Sequence, residues 1–371
     1  MPEFTYLAFD LVTGRVLGDV PLRGAQPSWE VSAPGNLGGP TIALNPLNAT
    51  QRQDVRDATI PWKCGIAVDR NGQIIWSGVV TTRRYSSQSG SYTLDVSGLL
   101  AYWQVRLLSA NLTWVTPVEQ VDMIRTLMLS GAEPSVPLGF DAPASGVERQ
   151  RQIDGGNLTS VLDEVTQISD NEGGFEFVLE SRHVSQEGAP AVAHTLRVGS
   201  PTLSAADPDR DPPLVLEFPG NASEYTWDED GSTFATDMWG SSTTDEGVTM
   251  VRSASNPALL TQGYPRVERS GQWSNISVVA TLDAHIRQAL AEAAAYANAP
   301  TVTVRDDGGT SIGGWAVGDL ARMRVTDERR FPPDLPGQPG LDEVLRIRSA
   351  TLDPETRKIT MTLAPIVTTE A

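Results

Sequence analysis

Apolar and polar positions alternate in short runs over the first hundred residues, and glycine, proline and asparagine break the runs. "FTYLAFDLVTGRVLGDVPL" alternates on both sides of Val12-Thr13-Gly14-Arg15, which predicts a hairpin pairing 3–11 with 15–22. "QPSWEVS" predicts the next strand, "APGNLGGP" a turn cluster, and "TIALN" a further strand. "IPWKCGIAV" runs into Asp69-Arg70-Asn71-Gly72, where Asn-Gly supplies the positive φ angles of a tight hairpin turn. The long return strand is "QIIWSGVVTTRRY", with Gly78 expected at a bulge or bend. After "SSQSG", the run "SYTLDVSGLL" brings the count to six or seven short strands, enough for a small barrel or sandwich.

The period then changes. "TPVEQVDMIRTLMLSG" predicts a helix with Thr116 as N-cap, Pro117 in the first turn, Glu119 completing a capping box and Gly131 as the stop. Val118, Val121, Ile124, Leu127 and Met128 form its apolar stripe. "NLTSVLDEVTQISDNEGG" predicts a second helix, capped by Asn157, with Leu158, Val161, Leu162, Val165 and Ile168 as its stripe. In "FEFVLESR", Phe175, Phe177 and Leu179 alternate as one strand face, and "AHTLRVG" is its expected partner. From 201 to 275 the pattern gives a loop and two or three strands between acidic turns. "TLDAHIRQALAEAAAYANAP" predicts an Ala-rich helix from near Thr281, ended by Asn298 and Pro300. The tail returns to strands, with a hairpin at Asp353-Pro354-Glu355-Thr356. The expected fold class is mainly β with α+β insertions.

Composition narrows the function classes. With 371 residues the chain holds two to four units, and 33 Gly with 26 Pro fit many turns and short strands. No stretch approaches the ~20 apolar residues of a membrane helix, and "MPEFTYLAFD" lacks the features of a signal peptide, so synthesis in the cytoplasm is expected. The single Cys64 has no internal disulfide partner, and His183, His194 and His285 have no zinc-ligand spacing. The net charge of −18 is uneven. Basic against acidic residues number 9 to 8 in 1–110, 5 to 13 in 111–200, 5 to 14 in 201–300 and 9 to 11 in 301–371. A surface with an acidic middle repels nucleic acid, so specific DNA binding is not expected.

Chemistry is sparse. The chain has no "GxSxG", "HExxH", "GxxxxGK[ST]" or "GxGxxG" between a strand and a helix. His183 and His194 flank an expected hairpin loop and His285 lies on the third helix; all three read as exposed or capping side chains. A glycosidase needs only two carboxylates, and Asp163, Glu164, Asp170, Glu172, Glu176 and Glu180 are close in sequence. The simpler reading puts Asp163 and Glu164 on a solvated helix face. "DEDGS" at 228–232 starts like a calcium loop, but positions six and twelve are Thr233 and Trp239, so an acidic turn is the better reading. "DPDRD" at 207–211 reads as a solvated loop. Neither a cofactor nor a metal is expected. Of the nine tryptophans, most read as core and two or three as interface.

The order of these segments carries a resemblance. "YLAFDLVTGRVLGDVPL", "SAPGNLGGPTIAL", "IIWSGVVTTRRY" with "YTLDVSGLLAYWQVRLL", and "VGDLARMRVT" with "LRIRSATLDPETRKITMTLAP" together resemble the minor tail proteins of long-tailed (siphovirus-type) actinobacterial phages. Within that group the chain is most similar to tail-tip hub proteins, which are related to phage baseplate hubs. The likeness runs from about residue 3 to 365 and is one of pattern and order.

The resemblance implies two tube-type β-barrels per subunit with accessory α+β domains. Three subunits would form a ring that continues the tail tube, adapts six-fold to three-fold symmetry, holds fibres or a spike and lets DNA pass. The expected partners are the chain's own homotrimer mates, the distal tail protein and tail tube, the tape-measure protein and tip fibre or spike proteins, all in the virion. The expected division is an N-terminal barrel at 1–110, an α+β domain at 111–185, a second β-rich domain with a long helix at 186–300 and a small C-terminal barrel at 301–371. Part of 186–275 is expected to complete one barrel. The long strand after Asn71-Gly72 exceeds the needs of one small barrel, so Ile74, Trp76, Val79, Arg83 and Arg84 are the candidate subunit contacts. The chain is not expected to be an enzyme. The alternatives are a tip-borne cell-wall glycosidase or peptidase, and a module binding host polysaccharide.

Overall fold

Alternation in the first hundred residues becomes a sheet that curls until it meets itself. The structure, a computed structural model, describes residues 4–366 apart from 132, 172, 207–213, 230, 244–248, 274, 275, 277, 296 and 297. Its first strands are β1 (Phe4–Asp10), β2 (Val16–Asp19), β3 (Gln26–Glu30), β4 (Asn36–Gly38) and β5 (Thr41–Ala43). Helix α1 (Ala49–Ala58) follows, then β6 (Cys64–Arg70), β7 (Gln73–Ser86) and β8 (Ser91–Gly98). Antiparallel pairing gives the order β5-β8-β7-β6-β1-β2, and a bridge from Arg23, just past β2, to Thr41 of β5 closes the barrel. Ala8, Ile66, Val68, Trp76, Val80, Leu94 and Val96 fill it.

Asn71 (φ 52) and Gly72 (φ 85) make the left-handed turn that Asn-Gly predicts. Gly78 is not at a bulge. It pairs in register with Ile66 and Gly98, and the shift in the β7–β8 ladder falls between Val80 and Thr82. Glycine is required at 78 for space, because a Cβ would lie 2.3 Å from the Ser97 carbonyl oxygen and the Trp76 ring. The apolar pattern did not predict α1, whose sequence ATQRQDVRDA buries only Val55 and Ala58. Its start was marked all the same by Asn48 and Gln51, which form a capping box.

The middle of the chain forms a second layer. It contains α2 (Ala101–Gln104), β9 (Leu112–Glu119), α3 (Gln120–Met128), β10 (Gly139–Asp141), β11 (Glu148–Ile153), α4 (Val161–Ser169), β12 (Glu176–Gln186) and β13 (Ala189–Gly199). β9 and β11 form a ribbon, while β10, β13 and β12 form a three-stranded sheet covered by the helices. Two predicted helix starts are corrected. Thr116 and Pro117 lie in β9, at the irregularity in its ladder with β11 between the Val118 and Trp114 pairs, and α3 is capped by Glu119, whose carboxylate accepts from Val121 N. α4 is capped by Ser160 rather than Asn157, and Leu158 is 53% exposed instead of joining the stripe. The first start moved because β9 runs on to Glu119 in its pairing with β11, and the second because Asn157 closes a 3-10 turn, Gly155–Asn157, that Asp154 caps. Val121, Ile124, Leu127 and Met128 of α3 and Val161, Leu162, Val165 and Ile168 of α4 are buried as predicted, whereas Val118 belongs to β9 and is half-buried.

The second barrel is discontinuous in sequence. β14 (Leu214–Phe218) and β15 (Ala222–Glu229) precede an inserted unit, and β19 (Asn298–Arg305), β20 (Leu320–Val325), β21 (Leu341–Asp353) and β22 (Lys358–Ala364) follow it. The order β14-β20-β21-β22-β19-β15 ends on two strands that are consecutive in the chain, and its interior holds Leu216, Val302, Met323, Ile347, Leu352 and Met361. The inserted unit comprises β16 (Asp237–Thr243), β17 (Thr249–Ser255), α5 (Pro257–Thr261), β18 (Glu268–Gln272) and α6 (Val279–Ala295). Asn298 and Pro300 belong to β19 rather than to the end of α6. Pairing of β3 with β21 joins the two barrels into one 14-stranded sheet. The architecture is mainly β, with two barrels and accessory α+β units.

Candidate assembly surface

At the junction between the barrels polar side chains reach across into sites with little solvent. Arg70 at the end of β6 pairs with Asp306 after β19 at 2.9 Å, and the two side chains are 10% and 0% exposed. The same guanidinium donates to Ile312 O at 2.7 Å. Trp29 Nε1 donates to Ile75 O, and Trp76 Nε1 to Ser28 O, each at 2.9 Å. Arg346 of β21 pairs with Glu176 at the start of β12, both buried, which ties the second barrel to the middle layer.

Beside this junction lies a cleft of about 540 Å³, whose lining includes Trp29, Ile75, Leu179, Ser181, His183 and Trp315. Nε2 of His183 lies 2.6 Å from Oδ2 of Asp69. Ser181 Oγ contacts His194 Nδ1 at 2.8 Å and Ser77 Oγ at 2.7 Å. A serine beside a histidine invites a catalytic reading, but burial pushes His194 down to about 4, so it is a poor base at neutral pH. Its Nε2 has no hydrogen-bond partner among the described residues, so the third group that orients a catalytic imidazole is missing. The Ser77-Ser181-His194 chain is a packed polar link between β7 and the β12–β13 sheet.

His183 is exposed as read from the sequence, whereas two histidines and one acid differ from that reading. His194 and His285 are 4% and 1% exposed, neither exposed nor capping. His285 stacks on Trp273 with ring centroids 5.5 Å apart, and burial together with Arg151 and Arg149 lowers it to about 3. Glu164 is not solvated: it is 3% exposed and paired with Arg151 at 2.6 Å, while Asp163 is exposed. No sequence signal links Glu164 to Arg151, because the pairing depends on how β11 meets α4. "DPDRD" lies outside the described residues, as does Asp230 of "DEDGS".

The five candidate contact residues separate into two sets. Ile74, Trp76 and Val79 are 6%, 5% and 0% exposed within this chain. Trp76 points into the first barrel, and Ile74 and Val79 pack on the middle layer, so β7 is covered on both faces. Arg83 is half-buried, donating to Arg56 O at 2.5 Å and Thr59 Oγ1 at 3.0 Å. Arg84 is exposed at the surface beside Asp95, 2.9 Å away. The adjoining Tyr85 is 61% exposed and the turn through Ser89 is exposed throughout. The apolar residues that made the strand look like an interface serve the chain's own core, and the exposed part is its polar distal end. Trp62 and Trp239 are the tryptophans with the most open surface among the described residues, at 45% and 42%.

No protein-family model matches the sequence, and none of the curated proteins is similar to it in sequence. Solved structures do resemble it. The 43 kDa tail protein of prophage MuSo2 from Shewanella oneidensis superposes with a TM-score of 0.57 at 12% identity, over 98% of each chain. Prophage tail protein gp18 from Listeria monocytogenes gives 0.55 at 12% identity, over 98% of this chain and 95% of that one. A tail protein from Neisseria meningitidis gives 0.54 at 15% identity, over 97% and 96%. The chain therefore has, over nearly its whole length, the fold found in these phage tail proteins.

Proposed function

We propose that this chain is a structural protein of a phage virion, the hub of a tail tip. The observation that carries the reading is likeness of fold to three phage tail proteins at 97–98% coverage of this chain. The joining of two barrels in one sheet, locked by Arg70–Asp306, supports a mechanical role. A chain so built offers two similar wall segments in fixed relation, and three copies would line a ring with six barrels, matching a six-fold tube above to a three-fold tip below. The distal tail protein, tube, tape-measure protein and tip fibres or spike are the proposed neighbours, in a siphovirus-type phage of actinobacteria. Genome DNA would pass through the lumen without specific contacts. The proposed inter-subunit contact is the distal β7–β8 hairpin, with Arg84 and Tyr85 in place of the buried Ile74, Trp76 and Val79.

Mass measurement of the native particle tests the stoichiometry, with a homotrimer expected. Labelling this chain in purified tails tests its place, and density at the tip is expected. A monomer that digests purified cell wall and is absent from tails would overturn the proposal.

A further inference from the structure

β12 is the edge of its sheet and pairs with β13 on one side only. The turn at Glu187 (φ 51) and Gly188 (φ 80) joins Gln186 to Ala189. A two-residue hairpin of this kind closes on a hydrogen-bonded pair. Even-numbered residues of β12 therefore direct their N–H and C=O groups to β13, and odd-numbered residues direct theirs to the free edge. The start of the strand shows the same parity. Ser32 N donates to Phe177 O at 2.9 Å, and Phe177 N donates to Ser32 Oγ at 3.3 Å.

Past Phe177 this backbone pairing stops. The main-chain groups of Leu179, Ser181 and His183 have no hydrogen-bond partner among the described residues, and all three line the 540 Å³ cleft. Trp29, Ile75, Trp315 and Val317 give that cleft an apolar wall. The edge carries no proline or register shift from 178 to 183 that would block pairing. Arg182, exposed on the rim, has no ion pair among the described residues, whereas Glu180 is within 3.5 Å of Arg197. A row of open donors and acceptors beside apolar surface is a template for an added strand, and the unpaired cation favours a carboxylate on it.

We infer that the edge from Leu179 to His183 receives an extended segment of another tail protein. The segment adds a strand to β12, seats alternate apolar side chains against Trp29, Ile75 and Trp315, and sets a carboxylate against Arg182. Five residues at ~3.3 Å each would span the open edge. The inference rests on the proposed tail function.

Amide hydrogen exchange resolved to single residues, on the isolated chain and on purified tails, tests it. In the isolated chain the amides of Leu179 and Ser181 should exchange at least a hundredfold faster than those of Val178 and Glu180, which β13 protects. In tails, all four should be slow, and Arg182→Glu, a change at an exposed position, should restore at least tenfold of the lost exchange at Leu179 and Ser181. If the chain is present in tails while these two amides remain fast, the inference falls and the tail function stands. Absence of the chain from tails overturns both. Slow exchange already in the isolated chain would mean that the edge is covered by this chain or a second copy, and would overturn the partner strand. An unchanged rate in Arg182→Glu would overturn the carboxylate contact.

Discussion

Two buried histidines make the fold sensitive to acid. Burial lowers His194 to about 4 and His285 to about 3, so as pH falls below the ordinary histidine value the unfolded chain takes up protons before the folded one does. Stability is complete above about pH 6.5 and declines as pH falls toward these folded values. At pH 5 each histidine should cost about 2 kcal/mol relative to pH 8, and His194→Phe should remove its share, as read from urea unfolding at both pH values. Gly78 makes a steric prediction at the same scale. A Cβ there meets backbone and the Trp76 ring, so Gly78→Ala should destabilise by about 1 to 3 kcal/mol in the same measurement. Local chemistry was legible where it acts on its own backbone, as at Asn71-Gly72. It was not legible for Glu164 or the histidines, whose surroundings come from residues far along the chain.

The elements were legible according to how much of their pattern is apolar. Most strands of the first hairpins could be read from alternation, but β4 falls within the expected turn cluster APGNLGGP, and α1, which buries only Val55 and Ala58, gave no apolar pattern. The start of α3 is a direct contest between two signals. The capping-box reading makes Thr116→Ala costly, whereas the observed cap makes it nearly neutral, within about 0.5 kcal/mol. Glu119→Ala should cost about 1 kcal/mol, because Glu119 accepts from Val121 N and also from Ser145 N at 2.7 Å. Thermal unfolding of the two variants distinguishes the readings. The β7–β8 hairpin gives a second prediction. The double change Arg84→Glu with Tyr85→Ser alters only exposed side chains and should leave a folded monomer, while native mass measurement should show the proposed trimer lost.

At the scale of the whole molecule, stability depends on how the barrels are joined. Removing one partner of a nearly buried ion pair leaves the other charge unpaired, so Asp306→Leu should cost about 3 to 5 kcal/mol in urea unfolding. Combining it with Arg70→Met should recover much of that loss, since no charge is then stranded. The sequence by itself determined the β-rich class, most strands and turns, the stripes of two helices and the absence of common catalytic motifs, because each follows from local period and backbone preference. The tertiary structure alone decided that strands 214–229 close a barrel with 298–364 across an insertion, and that β3 meets β21. It also decided that Ile74, Trp76 and Val79 face the chain's own core, because alternation specifies which residues share a face but not what covers that face.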